Sequence, residues 1–158
     1  MAQEIELKFL VDGDFKPFVT ERKDIIQAYI STQPDRSVRI RIQDGKGYIN
    51  IKGPSKVFGI MRFEWEQEIP VEDAKQLLEL RESGLVKKTR YIVPAGNGLA
   101  FEVDEFHGDN QGLLMAEIEF PSIEMSFEKP EWLGHEVTGN PAFSNVELSK
   151  NPNCNWKS

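Results

Sequence analysis

The chain has 158 residues, 39% of them hydrophobic and 28% charged, with a formal net charge of -7. That is enough for one domain with a real core, and too acidic for a general nucleic-acid binder, although a local basic cluster could still hold a small phosphorylated ligand. One cysteine, Cys154, and two histidines, His107 and His135, exclude an internal disulfide, argue against a Cys/His zinc site and suit a reducing compartment.

The first element, Glu4-Ile5-Glu6-Leu7-Lys8-Phe9, alternates charged and apolar residues. As a strand it puts Glu4, Glu6 and Lys8 on one face and Ile5, Leu7 and Phe9 on the other. Val11 to Asp14 is turn chemistry, and Phe15 to Lys23, interrupted by Pro17, predicts one or two helical turns. Ile25 to Ile30 reads as a strand in which Gln27 and Tyr29 are in phase. Val38 to Ile42 is a stronger one, with Arg39 and Arg41 opposed to three β-branched aliphatics. Asp44-Gly45-Lys46-Gly47 is a hairpin turn. The returning strand, Tyr48 to Lys52, is expected to stop at Gly53-Pro54-Ser55.

Arg62 to Ile69 sets Arg62, Glu64, Glu66 and Glu68 against Phe63, Trp65 and Ile69, so Trp65 is expected in the core. Val71 to Glu82 has helical spacing, with acidic residues in its first turn and Gly84 as its cap. Val86 to Val93 carries Lys88 and Arg90 in one phase. After a turn at Pro94 to Gly98, Leu99 to Phe106 carries Glu102 and Asp104. Leu113 to Phe120 carries Glu117 and Glu119. Phe127 to Glu136 reads as a short helix or turn, Asn140 to Lys150 as a final helix, and residues 151–158 as a frayed tail. A single domain over residues 1–150 is expected. The chain shows neither a signal peptide nor an apolar run long enough to span a membrane, so a cytoplasmic location is expected.

The in-phase charges form two sets. The bases are Lys8, Arg39, Arg41, Lys52, Arg62, Lys88 and Arg90; the acids are Glu4, Glu6, Glu64, Glu66, Glu102, Asp104, Glu117 and Glu119. A solvated outer face, with opposite charges paired across strands for about 0.2–1 kcal/mol each, is one reading. Such a face should be diluted with Thr, Ser, Gln and Asn, and this one is not. A second reading closes the sheet into a barrel with the charges inside, where a polyanion carrying divalent cations satisfies bases and acids together. A third is a mixed-charge binding site without chemistry.

The same residues resemble the CYTH superfamily, the triphosphate tunnel metalloenzymes. Glu4-x-Glu6-x-Lys8 is similar to the family's ExExK signature. Arg39-x-Arg41, Lys52-Gly53, Arg62-x-Glu64-x-Glu66, Lys88-x-Arg90, Glu102-x-Asp104 and Glu117-x-Glu119 resemble its later strands in order. Glu136-Val137-Thr138 and Ser144-Asn145 resemble its C-terminal segment. The chain departs there, with Asn140, Ala142 and Phe143 where relatives tend to carry Asp, Arg and Tyr.

The resemblance implies an α+β, mainly β fold: an eight-stranded antiparallel β-barrel with a charged lumen and a few helices outside. It implies metal-dependent hydrolysis of a triphosphate, with Mg²⁺ or Mn²⁺ as cofactor. Inorganic triphosphate is the leading substrate, because no extra domain or pocket for an organic group is evident. Thiamine or nucleoside triphosphate hydrolysis, a class-four adenylyl cyclase and a non-enzymatic polyphosphate- or nucleotide-binding module are the alternatives. Lys8, Arg39, Arg41, Lys52, Arg62, Lys88 and Arg90 would bind phosphate. Glu4, Glu6 and Glu119 would hold the metal that positions the attacking water, and Glu66 and Glu117 the metal on the triphosphate. Catalysis would fall to Glu4, Glu6, Lys8 and Glu119, while Glu64, Glu102 and Asp104 complete the lumen. The expected partner is the small triphosphate itself, with no nucleic acid and no membrane; a homodimer is left open. His107 and His135 read as bystanders, and Trp132 and Trp156 as packing or tail.

Overall fold

The computed structural model describes residues 2–56, 61–82, 84–121, 126–144 and 147–148; within the strands, the side chains of residues 2–4, 55–56 and 61 are not described. The strands are β1 (Ala2–Val11), β2 (Glu21–Ser31), β3 (Ser37–Gln43), β4 (Lys46–Lys56), β5 (Met61–Ile69), β6 (Val86–Gly96), β7 (Leu99–Phe106), β8 (Leu114–Phe120) and β9 (Leu133–Glu136), with helix α1 at Val71–Leu78. Single 3₁₀ turns occupy Lys16–Phe18, Gly108–Asn110 and Pro141–Phe143. Among the described residues, no helix is long and apolar enough to cross a membrane.

The strands form one antiparallel sheet in the order β5-β4-β3-β2-β6-β7-β8-β1-β9. β1 is shared between neighbours. Residues 2–5 pair with β5 and residues 5–10 with β8, so eight strands run in a ring whose seam is four residue pairs long. β9 adds to the same edge of β1 beyond Lys8. Two tight hairpins fix register. Asp44 and Gly45, and Asn97 and Gly98, all have φ between 52° and 79°, the left-handed backbone of two-residue turns that follow strand twist.

Alternation then sorts side chains. Following the cross-strand pairs around the ring, Glu6, Lys8, Arg62, Glu64, Lys52, Arg39, Arg41, Arg90, Glu102, Glu117 and Glu119 share the inner face. The outer face is apolar and is covered in two places. Over β1, β6, β7 and β8, a core of Ile5, Phe9, Phe101, Val103, Ile118 and Phe120 is closed by Phe15 and Trp132. The Trp132 and Phe101 rings meet edge-on at 5.1 Å. Over β2, β3 and β4, Ala28 and Ile40 are closed by Ala74 and Leu78 of α1. Gly47 permits that close approach: a Cβ there would lie 2.7 Å from the Ala74 Cβ.

Several elements differ from the sequence expectation, each for a tertiary reason. Only Lys16–Phe18 of the segment 15–23 is helical, because Glu21–Lys23 pair with Ile92–Arg90 and lengthen β2. Gly53-Pro54-Ser55 does not stop β4; a register shift between Lys52 and Ser55 absorbs it. Helix α1 ends at Leu78 rather than Glu82. The Glu82 amide donates to the Tyr29 carbonyl at 2.8 Å, and its carboxylate accepts from the amide and hydroxyl of Thr32, drawing the chain off the helix axis well before Gly84. β6 runs through Pro94 to Gly96. The segment expected as helix or turn before Glu136 does turn at Glu131 and Trp132, but its last four residues form β9. The segment from Asn140 opens with a 3₁₀ turn rather than an α-helix; Glu147 and the buried Leu148 are helical, the Leu148 amide donating to the Ser144 carbonyl at 2.9 Å, and residues 145–146 and 149–158, including Cys154 and Trp156, lie outside the described residues. Trp65 is not core. It is 38% exposed, because it lies on β5, beyond both covered regions of the outer face.

The inner face is not charged along its whole length. Leu10, Val86, Phe106 and Met115 share its phase and pack with Leu113, Phe143 and Leu148. They fill one end of the ring, leaving the charged residues around a cavity above them.

Candidate active site

Every strand of the ring contributes to that cavity, which measures about 250 Å³. β1 supplies Glu6 and Lys8, β2 supplies Lys23 and Tyr29, and β3 supplies Ser37, Arg39, Arg41 and Gln43. Lys52 comes from β4, Arg62, Glu64 and Glu66 from β5, Arg90 from β6, Glu102 from β7, and Glu117 and Glu119 from β8. Ser144 reaches it from the C-terminal segment. Strand periodicity explains the convergence: same-face residues recur every second position, and a ring turns one face of every strand inward.

Three carboxylates gather on one side. One oxygen each from Glu6, Glu117 and Glu119 lies within 4.8 Å of the others. Register causes this, since Glu6 pairs directly with Glu119, and Lys8 with Glu117. Directly opposed like charges are unfavourable unless a cation intervenes. Lys8 does so partly, at 3.6 Å from Glu6 and 3.8 Å from Glu117. Burial pushes the Glu6 carboxyl up, but Lys52, Lys8, Arg62 and Arg39 outweigh it and bring it down to about 2. Burial and the neighbouring Glu6 charge raise Glu117, against Lys8 and Arg90. Adjacent carboxyls are thus driven in opposite directions.

Opposite them are the guanidiniums. Arg41 donates to both Glu66 oxygens, at 3.0 and 3.4 Å, and lies 4.6 Å above the Tyr48 ring. Asn50 donates to the same Glu66 carboxylate. Lys52 sits 3.2 Å from Glu64 and 3.7 Å from Glu6. Arg39 is buried and makes no ion pair among the described residues. Among the described residues, the buried Nε atoms of Arg39, Arg41 and Arg62 have no hydrogen-bond partner. A buried donor left unpaired costs about 1–3 kcal/mol. All three residues line the cavity, and with Lys52 and Arg90 they give it a basic wall that suits an anion arriving from outside.

Beneath this wall lies a second cluster. Asp104 accepts two bonds from Arg90, at 2.8 and 2.9 Å, and its other partner is Lys88 at 2.8 Å. Burial opposes the Asp104 charge, but Arg90 and Lys88 hold it well below the ordinary carboxylate range. Burial lowers Lys88 to about 8, with Arg90 and Arg39 adding to the effect and Asp104 and Glu117 opposing it. Lys88 and Asp104 share the inward phase but do not line the cavity; Arg90 does, reaching Glu102 at 3.2 Å.

The remaining expected residues fall as follows. The Glu4 backbone is in register with Arg62, and its side chain lies outside the description. Tyr29 lines the cavity, and Gln27 is buried beside Arg41, its Nε2 without a partner among the described residues. His107 is exposed on the outside, 2.8 Å from the Thr89 hydroxyl, and His135 is exposed on β9. Sequence reasoning missed Lys23 and Gln43. Gln43 was in phase with Arg39 and Arg41, and Lys23 with Gln27 and Tyr29, but a helical reading of residues 15–23 hid the second. It also missed how Thr138 acts. The Lys8 amide donates to the Thr138 hydroxyl at 2.9 Å, where β1 passes from one edge neighbour to the other.

Comparisons with known proteins agree with this geometry. A family model described as the CYTH domain matches residues 2–147. An inorganic triphosphatase of Acetivibrio thermocellus is 46% identical over 158 residues, covering 99% of both chains. An inorganic triphosphatase of Nitrosomonas europaea is 33% identical over 149 residues, covering 92% of this chain and 96% of its own. The crystal structure of the inorganic triphosphatase NE1496 superposes with a TM-score of 0.62 at 30% identity, covering 94% of this chain and 95% of that one.

Proposed function

The chain belongs to the CYTH domain family, and from that premise we propose that its cavity hydrolyses inorganic triphosphate to diphosphate and phosphate. The observation that carries the substrate class is the set of guanidiniums, those of Arg39, Arg41, Arg62 and Arg90, that line one cavity together with a carboxylate triad. Bases take phosphate oxygens in forked, charge-assisted bonds, and carboxylates take hard divalent cations.

Glu6, Glu117 and Glu119 would hold the cation, Mg²⁺ or Mn²⁺, with Glu4 proposed beside them one same-face step along β1. Bound there, it would neutralise phosphate charge and raise the acidity of a water. Glu66, proposed for a second cation, would first have to release Arg41 and Asn50.

The chain's own groups do the rest. Arg39, Arg41 and Arg62 line the cavity and donate guanidinium N–H groups to the phosphate chain, fixing it in line. Lys8 and Lys52, already beside Glu6, stand where carboxylates give way to phosphate ligands. They stabilise negative charge developing on the leaving diphosphate. Arg90, held by Asp104, adds a guanidinium whose direction is set before substrate arrives. The apolar plug of Val86, Phe106, Met115 and Phe143 excludes water from below.

The test is an assay of purified protein with inorganic triphosphate, ATP and thiamine triphosphate, each with Mg²⁺ or Mn²⁺ and with products identified. Diphosphate and phosphate from inorganic triphosphate are expected. Tight binding without turnover would make the cavity a binding module, and cyclic AMP from ATP would make it a cyclase.

A further inference from the structure

We propose that Lys23 is a specificity-determining residue that reads the outer end of the substrate, favouring a free terminal phosphate over an esterified one; this rests on the triphosphatase reading of the cavity. Lys23 lies on β2, in register with Arg90 on β6. It lines the cavity, yet its side chain is 27% exposed, against 17% for Lys8, 15% for Lys52 and 10% for Arg41 and Arg90. That gradient puts Lys23 at the mouth. Same-face residues on a strand are about 6.6 Å apart. Two such steps, through Ile25, separate Lys23 from Gln27, which sits opposite Arg41. The flexible four-carbon stem lets its ammonium lean back toward the inner bases.

The ammonium is readily available. Its one ion-pair partner among the described residues is Glu21, at 3.8 Å and largely exposed, a contact of little strength. Around it the more exposed lining groups, Glu66, Glu102 and Glu119, are carboxylates. A substrate end projecting outward from the inner guanidiniums therefore meets a rim that repels anions except at Lys23.

Two kinds of substrate end differ there. The last phosphate of inorganic triphosphate carries one more ionisable oxygen than the same phosphate esterified to a nucleoside. Lys23 attracts the first more strongly. Charge at the mouth sets the preference.

The test compares wild type, Lys23→Gln and Lys23→Arg with inorganic triphosphate, and with ATP as substrate or, where it is not cleaved, as competitive inhibitor. Lys23→Gln should raise KM for inorganic triphosphate about fivefold, with kcat changed less than about twofold, and leave the KM or Ki of ATP within about twofold. Lys23→Arg should retain the wild-type preference. Equal effects on both compounds, no effect on either, or a change confined to kcat would overturn the proposal. So would ATP that binds to neither wild type nor variant, since shape rather than charge would then set selectivity. Wild type that leaves inorganic triphosphate uncleaved would overturn the triphosphatase reading, and this proposal with it.

Discussion

Replacing Asp104 with Asn tests the cluster under the cavity wall most directly. Asp104 is buried between two cations, 2.8 Å from Lys88 and 2.8 and 2.9 Å from Arg90. The substitution keeps the volume and removes the charge, leaving two buried cations side by side. Breaking a buried pair in this way costs about 3–5 kcal/mol, a fall in Tm of roughly 6–20 °C for a chain of this size. Lys88 gives the loss a pH signature. In wild type its pKa is held at about 8, below the ordinary 10.5. Between those values the unfolded chain binds a proton that the native chain has released, so wild-type stability rises with pH across that window, by roughly 3 kcal/mol in all. Without the attraction of Asp104, Lys88 releases its proton below pH 8. The variant should therefore recover part of its deficit as pH approaches 8 and keep that recovery above it. Urea denaturation of both proteins at several pH values from about 5.5 to 9 reads the difference. A deficit under about 1 kcal/mol, or one independent of pH, would refute the account of Asp104 as the anion holding Lys88 and Arg90.

Arg39→Ala should raise KM for inorganic triphosphate about 10–100-fold by removing one charge-assisted phosphate ligand. Thermal melting should show only a modest loss of stability: Arg39 makes no ion pair among the described residues, and burial and Arg90 oppose its charge while Tyr29, Glu64 and Glu66 favour it. Glu119→Gln should abolish metal-dependent turnover with little change in Tm, as it relieves repulsion with Glu6 across the strand pair. Glu6→Gln should abolish turnover too, but with lower stability. Four cations hold its carboxyl at about 2, so wild type gains up to roughly 3 kcal/mol above pH 4.5, and denaturation curves should converge as pH falls from 4.5 toward 2. Thr138→Val should destabilise by about 1–2 kcal/mol through the lost acceptor for the Lys8 amide, while Thr138→Ser should not.

The strands and their charged phases were legible because alternation is a local signal and a ring preserves it. Arg39 and Arg41, or Glu117 and Glu119, need only the two-residue period of their own strand to be assigned a common face. The triad needed more. Glu6 meets Glu119 through the register between β1 and β8, which lie more than 100 residues apart in sequence. What stayed hidden depended on tertiary partners. Lys88 carries the same local pattern as Arg90, but neighbouring Asp104 and Phe106 bury it below the cavity. Trp65 has the apolar phase of a core residue, yet α1 covers β2 to β4 and leaves it exposed. The end of α1 is set by Tyr29 and Thr32, which no helical pattern could reveal.

The inner face also shows why one end of the ring must be apolar. A lumen charged along its full length would expose every base and carboxylate to water at both openings, and solvent screening would weaken each attraction it makes with substrate. Here the inward phase changes character within single strands: Lys8 is followed by Leu10, Asp104 by Phe106, and Glu117 is preceded by Met115. Phe143 and Leu148 complete the plug from the C-terminal segment. The resulting floor is dry, and the buried Asp104, Lys88 and Arg90 rest on it. Low polarity there strengthens the Arg90–Asp104 fork that aims one guanidinium into the cavity. It also strengthens the attraction of the lining guanidiniums of Arg39, Arg41 and Arg62 for a polyanion. The apolar residues of the tail thus take part in recognition although none of them is a charged ligand, and loosening them should weaken substrate binding before it unfolds the ring.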